Sequence, residues 1–335
     1  MAHSVDIIVP CYRYAHFLVE CVESILSQDN TDVRILIIDD ASPDNTEEVG
    51  KALARGDGRV TFRRHAVNRG HIATYNEGIE WASADYLLLL SADDYLLPHA
   101  LGRACKLMDD RPDIGFTFGN AVILHPGDRT EAIFPLGSRD EPTIVMSGAD
   151  FAGRSGAGNI VPTPTAVVRT TLQKRVGGYR PELPHSGDME MWLRLASHGA
   201  VGFINGDQAV YRRHDANMSL AYAADNMLSD LRERRKALAA FFATGGRPLA
   251  GDPGLRRMLL RSLARQAVGR ASMAFNAGSL EAADAIAAFA LEVSPDVGRT
   301  WPWAKLACKR AVGHAGWRAL SSAKATLLRG VQPSR

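Results

Sequence analysis

Three short stretches, VDIIVP at residues 5–10, VRILIIDD at 33–40 and DYLLLLSADD at 85–94, are largely apolar until they stop on proline or paired aspartates. A strand apolar on both faces must be covered on both faces, which is the pattern of a parallel sheet between layers of helices. The segments between them supply those helices. HFLVECVESILSQ carries Phe17, Val22, Ile25 and Leu26 at helical spacing. SPDNTEEVGKALAR opens with capping residues followed by glutamates in the first turn. RVTFRRH reads as a further strand and HIATYNEGIEWASA as a further helix. Strand and helix in alternation predict an α/β fold with a mostly parallel, Rossmann-like central sheet and flanking helices.

Beyond Leu97, PHALGRACKLMDD predicts a helix with Pro98 in its first turn. IGFTFGNAVIL reads as a strand, and residues 125–160, rich in Gly, Pro, Ser and Asp, read as loops. PTAVVRTTLQKRVGGY predicts a strand, a short helix and a glycine turn; DMEMWLRLASHG is a helix ending at Gly199; VGFINGDQAVYRRH is a last strand or hairpin. From about residue 220 the composition shifts to Ala, Leu and Arg. The expected organisation is a catalytic domain over 1–220 and an α-helical C-terminal extension over 221–335. RASMAFNAGSLEAADAIAAFALEV comes nearest to a membrane span, but Asn276, Glu281 and Asp284 interrupt it. MAHSVD runs straight into a strand, so no leader is expected. The four cysteines have neither CxxC nor zinc spacing, which fits a reduced, cytoplasmic setting. A net charge of +2 offers no field for nucleic acid.

In open parallel sheets, ligands bind beyond the carboxyl ends of the strands. Asp93-Asp94, Asp39-Asp40 and Pro10-Cys11-Tyr12 all stand at such ends. Carboxylates there are costly to bury unpaired. A hard divalent cation, Mg2+ or Mn2+, removes that cost and commonly brings phosphate oxygens with it. Each pair alone also reads as a solvated turn or a helix cap. Their recurrence at successive strand ends points to a nucleoside diphosphate.

Taken in order, VDIIVPCYRYAHFLVECVESILSQ, VRILIIDDASPDNT, NRGHIATYNEGIEWASADYLLLLSADDYLLP, VGGYRPEL, GDMEMWLRLA and YRRHDANMS resemble family 2 glycosyltransferases over residues 5 to about 219. The resemblance implies the GT-A fold. It also implies inverting transfer of a sugar from a nucleotide-diphosphate donor, a UDP-sugar, to an acceptor hydroxyl in cell-surface polysaccharide or glycolipid synthesis. By the same resemblance Pro10 and Tyr12 form the base pocket, Asp40 hydrogen-bonds the base, and Asp39 supports the loop. Asn68 and Gly70 shape a turn beside the nucleotide, and Asn76 lies near the donor. Asp93 faces the ribose, Asp94 ligates the metal that bridges the diphosphate, and His214 reaches that metal or the diphosphate. Ser91 stands where the family often has Asp, and Tyr75 where it commonly has a basic residue, so the ligand set is open. Inversion by direct displacement needs one base for the acceptor proton. Asp188 matches that base, and Glu190 is placed to orient it or to touch the acceptor. Thr163 and Thr165 are acceptor candidates. Asp188 also reads as a helix cap, and Asn68 and Asn76 as turn residues.

Residues 297–335 hold eight Lys and Arg, no acid, and Trp301, Trp303 and Trp317. That composition suits peripheral contact with an anionic membrane surface, or else a packed helical region with a basic face. Lipid-linked acceptors, implied by the resemblance, suit the first. A sugar-phosphate nucleotidyltransferase would need a glycine-rich basic loop where PCYRYAHF stands, and a nicotinamide enzyme would need GxGxxG there. A non-catalytic nucleotide-sugar-binding protein is the remaining alternative, against which Asp94, Asp188 and His214 speak.

Overall fold

The computed structural model describes residues 3–29, 31–136, 141–215, 217, 222, 226–244 and 249–320. Ser219 of the YRRHDANMS segment and Lys324, Arg329 and Arg335 of the basic tail lie outside the described residues. The apolar runs form β1 (His3–Cys11), β2 (Thr31–Asp39), β3 (Val60–Arg64) and β4 (Tyr86–Leu89), parallel and in the order β3-β2-β1-β4. The connecting helices are α1 (Ala15–Leu26), α2 (Thr46–Gly56) and α3 (His71–Trp81). Alternate strand residues serve two cores. Val5, Ile7 and Val9 pack with α1 and with α4 (Ala100–Asp110), whereas Ile8, Leu36 and Ile38 pack on the opposite face with Ile79 of α3. This two-sided burial is what the uninterrupted apolar strands required.

The sheet continues through β9 (Val167–Arg169), antiparallel to β4 and to β6 (Ile114–Leu124). β10 (Ala200–Arg212) is a single bulged strand parallel to β6, and β5 (Tyr95–Leu96) closes that edge antiparallel to β10. The described residues between 125 and 160 are more ordered than their composition implies. They hold β7 (Thr130–Ile133) on β6, β8 (Thr143–Met146) on β10, and α5 (Gly148–Ser155). Pro98 does not enter a helix. His99 takes a left-handed conformation (φ 66°) as the cap, and α4 starts one residue later. The helices α6 (Thr170–Val176) and α7 (Gly187–Ala196) cover the second core.

α5 lies so close to α7 that a Cβ on Gly148 would stand 1.8 Å from the Ala196 carbonyl oxygen. Gly148→Ala must displace backbone, at a cost of about 1–3 kcal/mol. Thermal unfolding is expected to show the lowered midpoint, and an unchanged midpoint would contradict this packing.

A third core joins α8 (Leu228–Ala243), α9 (Pro253–Asn276), α10 (Leu280–Val293) and α11 (Trp301–Val312) to Met189 and Leu193 of α7 and Ala152 of α5. The long apolar stretch after Arg270 is two helices, broken at Gly278 with φ +85°. Among the described residues no helix is long and apolar enough to cross a membrane.

Candidate active site

Strand register brings three chain segments to one place. The ladder extends past the strands, with Asp40 N donating to Cys11 O at 3.0 Å and Ala92 N to Pro10 O at 3.3 Å. A cavity of about 1210 Å³ opens at these ends, and Pro10, Tyr12, Asp40, Ser91, Asp93 and Asp94 all line it. Tyr12 is partly exposed, with the Arg13 guanidinium 5.2 Å from its ring centre. Asp40 is buried. Its Oδ1 accepts from Arg69 N (2.7 Å) and its Oδ2 from Gly70 N (2.9 Å), while His65 Nδ1 lies 2.7 Å from Oδ1. Asn68 builds this turn, its Nδ2 donating to Asp40 O at 3.1 Å and its Oδ1 accepting from Gly70 N at 3.1 Å. Gly70 has φ +81°, a conformation that suits glycine. Asp39 lies beneath, paired with Arg64 and accepting from Ser42 N at 2.8 Å. Asn76 stands behind the cavity wall, exchanging hydrogen bonds with Tyr179 N (2.6 Å) and Tyr179 O (2.9 Å). The Cys11 thiol also lines the cavity, but burial pushes it up to about 12, so it stays protonated.

The paired aspartates divide their work. Asp94 Oδ1 accepts from the backbone N of Arg212 at 2.9 Å, while Asp93 Oδ2 lies 3.0 Å from His214 Nε2. Arg212 is itself internal, donating to Asp93 O (2.9 Å) and Glu20 (2.6 Å) under the rings of Phe17 and Tyr95. Arg213, by contrast, lines the cavity. Burial, then the neighbouring Asp93, pushes the Asp94 carboxyl well above the carboxylate range. Asp93 Oδ1 is buried with no hydrogen-bond partner. A buried orphan oxygen, a second carboxylate and an imidazole fit a hard divalent cation. Among the described residues no three His, Cys, Asp or Glu side chains converge as a ready cage. The set therefore suits a cation that also takes phosphate oxygens. The resemblance gave the metal to Asp94 and His214, with Asp93 at the ribose. In this geometry Asp93 faces His214, and Asp94 braces β10.

Asp188 lies in the first turn of α7, and the cap is Ser186. Its carboxylate is not spent on the helix end. Oδ2 accepts from Thr163 Oγ1 at 2.9 Å, and the Tyr179 hydroxyl donates to the same group. Burial raises the Asp188 carboxyl above its ordinary value; Thr163, Tyr179 and the imidazoles of His71 and His185 pull it partly back. Tyr75 packs edge-on against both His71 and Tyr179, with ring centres 5.4 Å apart in each pair. His185 stacks on Tyr222 with ring centres 3.8 Å apart, and its Nε2 lies 2.9 Å from Asp230 Oδ1. Asp230 also pairs with Arg234 at 2.7 Å, and both belong to α8. Glu190 is elsewhere. It is fully buried, accepting from Arg180 Nε (3.0 Å) and from Arg194 Nε and NH2 (3.1 and 2.8 Å), and does not reach the cavity. Thr165 is likewise internal, donating to Pro162 O at 2.7 Å.

Tyr179, His71, His185, Asp230 and Arg234 line the cavity with no role foreseen from sequence. Tyr179 closes the VGGY segment, a signal that was visible. The pairing of His185 with Asp230 spans 45 residues and leaves no local pattern.

The family model for glycosyl transferase family 2 matches residues 6–135. Over 226 residues the chain is 37% identical to the glycosyltransferase GlyG of Streptococcus pneumoniae serotype 4, covering 65% of this chain and 73% of that one. The solved structure of S. aureus TarS 1–349 with UDP-GlcNAc is similar at a TM-score of 0.58 and 17% identity, covering 88% of this chain and 92% of that one. The mannosyltransferase PcManGT from Pyrobaculum calidifontis, in complex with GDP-Man and Mn2+, is similar at a TM-score of 0.53 and 18% identity, covering 95% and 86%. These two likenesses are of fold.

Proposed function

The chain belongs to glycosyl transferase family 2, and from that premise we propose inverting transfer from a nucleoside-diphosphate sugar to an acceptor hydroxyl. It is a glycosyltransferase, and its fold is GT-A. The observation that carries the reading is that one cavity takes in Asp40, the Asp93–His214 pair and Asp188. We assign the base to Pro10, Tyr12 and Asp40, with Tyr12 stacking and Asp40 accepting from a ring N–H. Uracil offers that donor, and a UDP-sugar is the donor we propose. The similar structures hold UDP and GDP sugars, so the fold does not choose between them and the nucleotide test below does.

The acceptor hydroxyl gives its proton to the Asp188 carboxylate as its oxygen bonds the anomeric carbon. The bond from that carbon to the diphosphate breaks on the opposite side, and its electron pair stays on the phosphate oxygen. Thr163 and Tyr179 hold Asp188 in place for this step. Arg213 lines the cavity and offsets the charge of the departing diphosphate. Asp93 and His214 would hold Mg2+ or Mn2+ together with the diphosphate, with Asp94 as the second carboxylate. When bound, that cation supplies electrophilic stabilisation to the leaving group. Ile160, Val161, Pro162, Leu183 and Met189 give the same cavity an apolar wall, suited to a saccharide face or a lipid-linked acceptor of surface-polymer or glycolipid synthesis. Residues 1–220 are proposed as the catalytic domain, with α8 of the helical extension adding to its cavity.

The test is thermal unfolding with UDP, GDP and dTDP, each with and without Mn2+. A ligand at 100 times its Kd stabilises the native state by about 2.7 kcal/mol. The expected result is a shift with UDP that requires Mn2+ and is lost in Asp93→Asn. A metal-independent shift would remove the cation from the site. A shift with GDP alone would overturn the base assignment, and no shift at all would favour a protein that binds no donor.

A further inference from the structure

The basic tail is built differently from its composition. Lys309 is buried, its ammonium donating to Ser272 Oγ at 2.7 Å and Asn276 Oδ1 at 2.8 Å. Trp303 and Trp317 pack against the helical core. Trp301 does neither. It opens α11 and is 79% exposed. Beside it lies a second cavity of about 340 Å³, lined by Arg261 and Arg265 of α9 with Asp296, Val297, Arg299 and Thr300. Asp296 is the acidic residue lining it, and it pairs with Arg261. Its carboxyl is held below the usual range by Arg261 first, then by Arg299 and Arg257. One carboxylate therefore stands among four guanidiniums, three more than it can neutralise. Arg257, Arg261 and Arg265 recur every four residues, so they form one stripe of α9. Lys305, exposed, follows Trp301 by one turn of α11.

We propose that this face docks on an anionic lipid bilayer. The guanidiniums of Arg261, Arg265 and Arg299 take phosphate-bearing headgroups, and the Trp301 indole sits at headgroup level. Guanidinium pairs with phosphate oxygens through charge-assisted hydrogen bonds. Each basic residue near such a surface adds to binding through its negative potential. The exposed indole decides between a bilayer and a dissolved phosphate: a free anion makes no use of it, whereas a bilayer places tryptophan at its interface. The arginines come from α9 as much as from the tail, so the surface is a product of folding and not of composition.

The experiment is sedimentation of the full chain with vesicles of phosphatidylcholine alone, or with added phosphatidylglycerol, at low and high salt. Binding is expected with the anionic vesicles only, weakening as salt rises. Each neutralised arginine should cost about fivefold, so Arg265→Gln with Arg299→Gln should cost about 25-fold. Trp301→Ala should weaken binding at every salt concentration. Equal binding to neutral vesicles, or native binding by the double variant, would overturn the proposal. So would protection against heat by inorganic phosphate without vesicle binding, which would identify a dissolved-anion site. None of the substituted side chains lines the active-site cavity, so the UDP-dependent thermal shift of the same variants reports folding independently. Failure here would leave the transferase reading standing.

Discussion

Asp188→Asn is expected to lower the transfer rate by about 10²–10⁴-fold, the range a positioned general base contributes. The donor-dependent thermal shift should survive, because neither Asp40 nor the Asp93–His214 pair touches this side chain. Asparagine keeps an oxygen for Thr163 and Tyr179 but cannot take the proton. The pH dependence follows from burial. The folded Asp188 carboxyl titrates above its unfolded value. The working form is deprotonated, so kcat/KM should fall as pH drops through that raised value, earlier than for an exposed aspartate. The stability effect has the opposite sign. A carboxyl raised on folding costs stability once pH exceeds its unfolded value, and the full cost is present above its folded value. Asp188→Asn should therefore melt at a higher temperature than the native chain at neutral pH, and the gap should close in acid. Full turnover by the variant would remove Asp188 from its role, and an unraised midpoint would contradict its burial.

Glu190→Ala should act through stability instead. The substitution leaves Arg194, itself buried, without its carboxylate, although Arg194 still donates to the carbonyls of Val176 and Gly178 at 2.8 Å each. Removing one partner of such a pair costs about 3–5 kcal/mol. Urea unfolding should show the lower midpoint with an unchanged slope. A residue that touched the acceptor would instead lose turnover at an unchanged midpoint. The two experiments together separate the two acidic residues of one helix turn, which the sequence presents as near equivalents.

Why the sequence separated them poorly is physical. From Gly187 to Ala196, α7 is buried at every position but Asp188, which is half-buried. A helix covered all round has no polar face on which to read depth. The strands of the first half were legible for the complementary reason: burial on both faces leaves an apolar run that nothing but a covered sheet explains. β5, β7 and β8 had no such signal. They are two to four residues long and pair at the edges of β6 and β10, whose positions only the finished sheet sets. The acids at the strand ends were legible as a group, but not which of Asp93 and Asp94 faces His214. That choice depends on Arg212, 118 residues from Asp94, presenting its backbone N.

The reach of α8 into the cavity makes the chain modular in an uneven way. Asp230 and Arg234 fall after residue 220, while the strand ends fall well before it. A chimera that exchanges the helical extension with a relative's replaces the Asp230 and Arg234 lining and leaves the strand-end lining native. The lining that α8 contributes can then drift, or be engineered, apart from the strand-end lining, with His185, which meets Asp230, as the seam at which any new extension has to fit.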